Sequence, residues 1–402
     1  MHPMTSHAAR GLKGRIRVTG DKSISHRALM LASQVLGTTT ITGLLEGEDV
    51  LRTAEALRNC GVDIQKHEDG SWVVKGVGIG GLHEPSDILD MGNAGTGVRL
   101  MMGLLTPYPF TSHFTGDESL RSRPMQRVIT PLEQMGGEFL TKEGGRLPLA
   151  LKGTANPLPI TYELPVASAQ VKSAIMLAGL NTPGITTVIE KEATRDHSER
   201  MLNYFGIPVT VSKRKDGATV IEVKGQIAQT YQDRDFDVPC DPSSAAFPIV
   251  AALITPNSEV TVEHVCLNPL RTGLFETLKE MGANITISNQ REIGGETVGD
   301  ITAKSSMLRP VNVHASRAPS MIDEYPILAI AASVAHGRSV MHGLSELRVK
   351  ESNRLAAIIE GLKSCGIEAL EEGDSLIVFG RNQPPRGGAT VRQRALQAEP
   401  AD

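Results

Sequence analysis

The sequence predicts an α/β protein made of a few large, internally symmetric domains, and three observations lead there. A turn after an apolar helical run recurs at Gly37, Pro109, Gly184, Pro256 and Gly337, with spacings of 72, 75, 72 and 81 residues. A β-branched run follows these turns, as in Thr38-Thr39-Thr40-Ile41-Thr42 and Ile185-Thr186-Thr187-Val188-Ile189. A second helical run then ends at a glycine: Gly61, Gly136, Gly206, Gly282 or Gly366. A fixed long period of this kind marks a repeated supersecondary unit, and helices alternating with strands make the class α/β.

The first unit opens at Gly20-Asp21-Lys22-Ser23-Ile24-Ser25-His26-Arg27, just before the apolar run from Ala28 to Val35. Ser23 and Ser25 are N-cap residue types and Ala28 to Ala32 are strong helix formers. Lys22, Ser23 and Arg27 are thus expected near a helix N-terminus, where free N–H groups, the helix dipole and two cations favour an anion. A capped surface helix with ordinary Lys and Arg residues is the plain alternative for this stretch alone. The second unit opens at Gly92-Asn93-Ala94-Gly95-Thr96, passes Thr111 to Phe114 and closes over Pro131 to Met135. The third opens at Ser168-Ala169-Gln170-Val171-Lys172, and its second helix starts near Asp196. The fourth runs from Asp241-Pro242-Ser243-Ser244 through Glu259-Val260-Thr261-Val262. The fifth runs from Met321-Ile322-Asp323-Glu324 through Ser339-Val340-Met341. A sixth unit is expected to begin near residue 395, and the 402-residue sequence ends at Asp402. Residues 391–402 lack an apolar face and read as a disordered tail.

At 402 residues, two or more domains are expected. Apolar content of 40% and charged content of 21% are those of a globular chain. With 3% aromatics and one Trp, aliphatic residues and glycine must build the core. A net charge of −4 argues against nucleic acid as a partner. No apolar run reaches the ~20 residues of a membrane span, and residues 1–14 lack the apolar stretch of a signal peptide. Cys60, Cys240, Cys266 and Cys365 are widely spaced and read as reduced structural thiols of a cytoplasmic protein. No tight ligand cluster suggests a metal, and no cofactor is expected.

Five stretches in order carry a family resemblance: residues 20–27, residues 92–96, Arg121-Ser122-Arg123-Pro124-Met125, residues 168–172, and Leu347-Arg348-Val349-Lys350-Glu351-Ser352. From Arg10 to Gly380 the sequence resembles the 5-enolpyruvylshikimate-3-phosphate synthases (3-phosphoshikimate 1-carboxyvinyltransferases). Arg195-Asp196-His197-Ser198-Glu199 resembles their class II branch. The resemblance implies a two-domain enolpyruvyl transferase fold, an inside-out α/β barrel of βαβαββ-type units with ligands in the cleft between domains. It implies one domain from residues 1–19 and 239–390, with its last unit incomplete, and a second from residues 20–238. Five of six units are then present.

The implied reaction moves the enolpyruvyl group of phosphoenolpyruvate to the 5-hydroxyl of 3-phosphoshikimate, releasing phosphate. Both substrates are anions, so several fixed cations are required, together with an acid for the methylene carbon and a base for the hydroxyl. By resemblance, Lys22 reaches both substrates. Ser23, Arg27, Ser168, Ala169, Gln170, Arg195, Asp323 and Lys350 hold 3-phosphoshikimate. Asn93, Gly95, Thr96, Arg123, Gln170 and Arg354 hold phosphoenolpyruvate, and Lys22, Asp323 and Glu351 carry the chemistry. An ion pair of Arg195 with Glu199 at i,i+4 is the plain alternative for Arg195. Lys350 and Arg354 are expected on one face of a single helix start. In the family an Ala at the position of Gly95 narrows the site against glyphosate, so Gly95 counts against tolerance. Asn353 stands where the family usually has Asp. His26 and His197 are expected to be structural.

The family continues past Val391 with an Asp-His-Arg helix start and a Lys-bearing strand, so the sequence reads as truncated. Two lost charge-assisted contacts are expected to cost roughly 3–6 kcal/mol, about two to four powers of ten in rate or affinity. One alternative is therefore a chain that binds 3-phosphoshikimate without turnover. Another is a UDP-N-acetylglucosamine enolpyruvyl transferase. That family has Lys-Asn in place of Lys22-Ser23 and a Cys in the loop that here runs from Gly116 to Arg123 without one. A monomer is expected, with the two small molecules as partners and no membrane.

Overall fold

The computed structural model describes residues 10–350 and 352–381. The expected tail, 391–402, lies outside them. The chain opens with β1 (Lys13–Ile16). The first repeat is α1 (Lys22–Ser33), β2 (Leu36–Thr42), α2 (Glu48–Asn59), β3 (Asp63–Lys66) and β4 (Trp72–Val77). The second is β5 (Leu89–Asp90), α3 (Gly95–Leu105), β6 (Thr111–Thr115), the short α4 (Glu118–Ser122), α5 (Gln126–Gln134), β7 (Glu138–Lys142) and β8 (Arg146–Lys152). The third is β9 (Thr161–Glu163), α6 (Ala169–Leu180), β10 (Ile185–Glu190), α7 (His197–Tyr204), β11 (Val209–Lys213) and β12 (Thr219–Lys224), followed by β13 (Arg234–Asp237). The fourth is α8 (Pro242–Ile254), β14 (Glu259–Cys266), α9 (Gly273–Glu280), β15 (Asn284–Ile293) and β16 (Glu296–Lys304). The fifth is β17 (Asn312–Val313), α10 (Tyr325–Val334), β18 (Gly337–Met341), α11 (Arg354–Ser364), β19 (Glu368–Glu372) and β20 (Ser375–Gly380).

Each repeat builds one four-stranded sheet of the same design, five among the described residues. A short parallel edge strand lies beside the strand that follows the first helix, and the last two strands run antiparallel, as in β5-β6-β8-β7. Two repeats take their edge strand from far along the chain. β13 pairs with β2, placing Arg234 opposite Thr39, and β1 pairs with β14, placing Lys13 opposite Glu259. The β1–β14 pairing joins two segments of one unit between which the chain builds the other, and the β13–β2 pairing joins the two ends of that other unit. Accordingly the chain divides into two compact units. One holds the described residues of 1–18, 240–291 and 297–402; the other holds 19–239 and 292–296.

In the second of these, the first helices of three repeats form the interior. Every residue of α6 from Val171 to Leu180 is buried, as is every residue of α1 from Ile24 to Ser33. A helix covered on all sides belongs inside a core. The strands alternate instead: β2 and β8 bury every second residue, so their sheets cover the helices with one face only. Helices inside and sheets outside is the inside-out arrangement. The other unit repeats it with α8 and α10, whose Ala246, Ile249, Leu328 and Ala332 share one apolar cluster.

Glycine permits this close packing. A Cβ on Gly103 of α3 falls 2.2 Å from the Ala174 carbonyl oxygen of α6. At Gly76, Gly153, Gly225 and Gly380, at or just after the last strand of four repeats, a Cβ falls 1.9–2.1 Å from a carbonyl oxygen at the end of that repeat's first helix or just beyond it. These positions form a second glycine period in the sequence, beside the one that ends the second helices. Replacing Gly103 by Ala must push α3 from α6, and overpacking of this kind costs about 1–3 kcal/mol. Gly103→Ala should therefore lower the urea midpoint of unfolding, whereas Ala at the open position of Gly361, where a Cβ meets nothing within 4 Å, should not.

Candidate active site

Helix α1 begins at Lys22 as the sequence predicts, but neither serine is its cap. Asp21 caps it, its carboxylate accepting from the Ile24 N–H at 2.9 Å. A carboxylate at N-cap satisfies an otherwise unpaired donor and suits the dipole. Ser25 turns inward and accepts from the Leu45 N–H instead. Lys22 keeps a side chain 52% exposed, in a 3.2 Å ion pair with Asp49, so its ammonium can leave that partner at little cost. Ser23 is partly buried, and its carbonyl accepts from Arg27.

Arg27 lies inside. Its guanidinium donates to Ser198 Oγ at 2.8 Å and Ser173 Oγ at 2.7 Å. Burial pushes it down to about 10, and the nearby Arg195 cation pushes the same way. His26, beside it, bonds Thr53 Oγ1 at 2.8 Å and is fully buried. Burial, then the Lys22 and Arg27 cations, push His26 down to about 3, so it is neutral at working pH.

Ser168 caps α6, accepting from the Val171 N–H at 3.4 Å, and Ala169 follows as the first helical residue. Arg195 is partly buried in the segment before α7. Its expected alternative partner, Glu199, is committed elsewhere: it pairs with Lys172 at 2.7 Å. Lys172 is fully buried and also meets Glu190 at 3.1 Å. Burial raises the Glu199 carboxyl above its ordinary range, against the pull of Lys172.

A second group surrounds the start of α3. Gln170 donates to Thr96 Oγ1 at 2.9 Å and accepts from Arg99 at 3.2 Å. Arg123 donates to Asn93 Oδ1 and to Ser119 Oγ at 3.0 Å. A Cβ on Gly95 falls 2.9 Å from an Arg123 nitrogen and 3.1 Å from one of Arg99. Asn93, Gly95, Thr96, Arg123 and Gln170, chosen from three separate stretches, thus form one linked set. Sequence reading missed Arg99, one turn after Gly95 on α3. Burial, with Arg123 and Arg127 close by, lowers it to about 10. Like-charged guanidiniums held together beside a bare glycine backbone are suited to an anion.

In the other unit, Asp323 accepts from Arg354 at 3.1 Å and meets Lys350 at 3.6 Å. The two cations do not share a helix face, contrary to expectation. Asn353 caps α11, accepting from the Ala356 N–H, so the helix starts at Arg354. Lys350 ends a preceding 3-10 turn, Ser345–Val349, and approaches Asp323 from there. Asn353 therefore has a capping role of its own. Glu351 lies outside the described residues. Glu324 is buried and bonds Ser243 Oγ, near Arg271.

A family model described as EPSP synthase (3-phosphoshikimate 1-carboxyvinyltransferase) matches residues 7–393. The chain belongs to the EPSP synthase family. A 3-phosphoshikimate 1-carboxyvinyltransferase of Paramagnetospirillum magneticum is 59% identical over 389 residues, which is 97% of this chain and 87% of that protein. Its counterpart in Rhodospirillum rubrum is 56% identical over 393 residues, 97% of this chain and 87% of that protein. The EPSP synthase of Acinetobacter baumannii superposes with a TM-score of 0.83 at 44% identity, covering 94% of this chain and 83% of that one. The two-domain enolpyruvyl transferase fold is therefore that of this EPSP synthase family member. Among the described residues no helix is long and apolar enough to cross a membrane.

The buried His26 gives a pH test. Its folded value lies below its unfolded value near 6.5, so the unfolded chain takes up the extra proton. Stability is unaffected by His26 above about pH 6.5, falls by about 1.4 kcal/mol per pH unit beneath it, and levels off near pH 3. Urea unfolding of His26→Gln and the parent chain at pH 7 and pH 5 should show the smaller acid loss in the variant.

Proposed function

We propose that the linked cationic groups divide the two substrates of the family's reaction between them. The chain is a transferase of the shikimate pathway, moving the enolpyruvyl group of phosphoenolpyruvate to the 5-hydroxyl of 3-phosphoshikimate. In our reading, the start of α6 (Ser168, Ala169, Gln170), Ser23, Arg27 and Arg195 receive 3-phosphoshikimate. The group of Asn93, Gly95, Thr96, Arg123 and Gln170 receives phosphoenolpyruvate, and Gln170 serves both. Arg27, tied to two serine hydroxyls, acts mainly as a fixed positive charge. Helix-start N–H groups at α6 add donors for a phosphate.

The observation that carries this reading is the hydrogen-bonded convergence of Asn93, Arg123, Thr96 and Gln170 around Gly95. The network fixes donors before any ligand arrives, and such preorganisation is what stabilises developing charge. Lys22, exposed and lightly paired, is the mobile cation and proton carrier. Asp323 orients the 5-hydroxyl and accepts its hydrogen bond, while Lys350 and Arg354 neutralise the anions near it. Lys350 then belongs with 3-phosphoshikimate and Arg354 with phosphoenolpyruvate. Glu351 is assigned the proton transfer at the methylene carbon from its sequence position. The chain is proposed to work as a cytoplasmic monomer.

Phosphate release from purified chain given both substrates tests the reading. The expected result is release that requires both, with Lys22→Met lowering kcat by about a hundredfold or more, the scale of losing one charge-stabilising donor. Binding of 3-phosphoshikimate without any phosphate release would instead identify a chain that binds but does not turn over.

A further inference from the structure

The fully buried Lys172 takes no part in the site as assigned, yet three elements that carry the site meet at it. Its backbone N–H bonds the Ser168 carbonyl at 3.1 Å, within the first turn of α6. Its ammonium donates to the Thr194 carbonyl at 3.4 Å, one residue before Arg195. It also pairs with Glu190, at the end of β10, and with Glu199 on α7. Thr194 is held a second time, its hydroxyl donating to Glu190 Oε2 at 2.8 Å.

Stability alone is a weak reason for such a triad. An ammonium and two carboxylates removed from water pay a desolvation cost that their attraction barely covers, and apolar residues of equal volume often serve as well. What the triad supplies is fixed geometry. The segment from Lys191 to Ala193 is exposed, and the anchor at Thr194 defines where it re-enters. Arg27 interlocks with the triad through Ser173, next to Lys172, and Ser198, next to Glu199. Arg195 and Arg27 are like charges close enough to oppose one another, and the anchored carbonyl of Thr194 fixes the backbone from which the Arg195 side chain departs.

We propose that Lys172, with Glu190 and Thr194, is a positioning residue that holds Arg195 for the phosphate of 3-phosphoshikimate. The proposal rests on the assignment of Arg195 to that substrate. Its signature is selective: binding of 3-phosphoshikimate weakens when the anchor is cut, while the phosphoenolpyruvate group around Gly95, bonded through Arg99 and Arg123, keeps its geometry.

The test is titration calorimetry of the full chain with 3-phosphoshikimate, for three variants and their combinations. Arg195→Ala reports the site itself. Lys172→Met combined with Glu199→Gln removes the ammonium along with one carboxylate charge. Thr194→Val, nearly isosteric, cuts only the hydroxyl link to Glu190 and serves if the Lys172 combination fails to melt cooperatively. Arg195→Ala should raise Kd about 10- to 100-fold, the scale of one charge-assisted contact. Each anchor variant should raise it about tenfold, and adding Thr194→Val to Arg195→Ala should change it by less than about twofold, since those two act through one residue. The KM for phosphoenolpyruvate at saturating 3-phosphoshikimate should stay within about twofold. A Thr194→Val effect that multiplies with Arg195→Ala, or an unchanged Kd in both anchor variants, overturns the positioning role. An unchanged Kd in Arg195→Ala itself overturns the site assignment instead.

Discussion

Helices covered on every side by protein set the terms for the rest of this structure. Once α1 and α6 are enclosed, the polar side chains on them draw partners from inside, because an unpaired buried polar group costs about 1–3 kcal/mol and a charge more; the Nε2 of His26 is an exception among them. Arg27, His26, Ser173 and Lys172 all lie on those two helices and all are buried. Their partners come from Thr53, Ser198, Glu190 and Glu199, on other elements of the same unit. The interior of an apolar helical core thus becomes a rigid polar lattice. That lattice ends at helix N-termini, where the donors left over by the fold are available to anionic substrates.

Repetition supplies the same arrangement more than once, with different chemistry. Asp21, Ser168 and Asp241 each cap the first helix of a repeat through a side-chain acceptor. After the cap, α1 offers Lys22 and Ser23, α6 offers Ala169 and Gln170, and α8 offers Ser243, bonded to Glu324 and Arg271. One supersecondary design therefore yields a mobile cation, a neutral amide beside a bare helix start, and a buried cluster in which Ser243 is bonded to Glu324 and Arg271. The side chains that follow the cap decide which.

Much of this was legible in the sequence. The period of glycine and proline turns marks five repeats, and five sheets of one topology are present among the described residues. Short motifs also brought Asn93, Gly95, Thr96, Arg123 and Gln170 forward. What stayed hidden depends on partners far apart in the chain. Arg27 meets Ser173 and Ser198 across 146 and 171 residues, a pairing no local pattern contains. Lys172 sat in a recognised motif, but its carboxylate partners follow only from how β10 and α7 pack on α6. The edge strands β1 and β13 are four residues each, too short to announce an exchange between distant segments. The caps differ from the sequence expectation for a local reason: Asp21 takes the cap of α1 in place of the serines, and Asn353 sets the start of α11, which leaves Lys350 off the helix.

The central claim is that the buried lattice presents a phosphate site at the start of α6, beside Arg195. A crystal structure of the chain with 3-phosphoshikimate bound tests it most directly. The account predicts phosphate density within hydrogen-bond distance of Ser168 and the first N–H groups of α6, with the Arg195 guanidinium against it and Lys172 unmoved. Ordered 3-phosphoshikimate whose phosphate lies away from both Ser168 and Arg195 would contradict it.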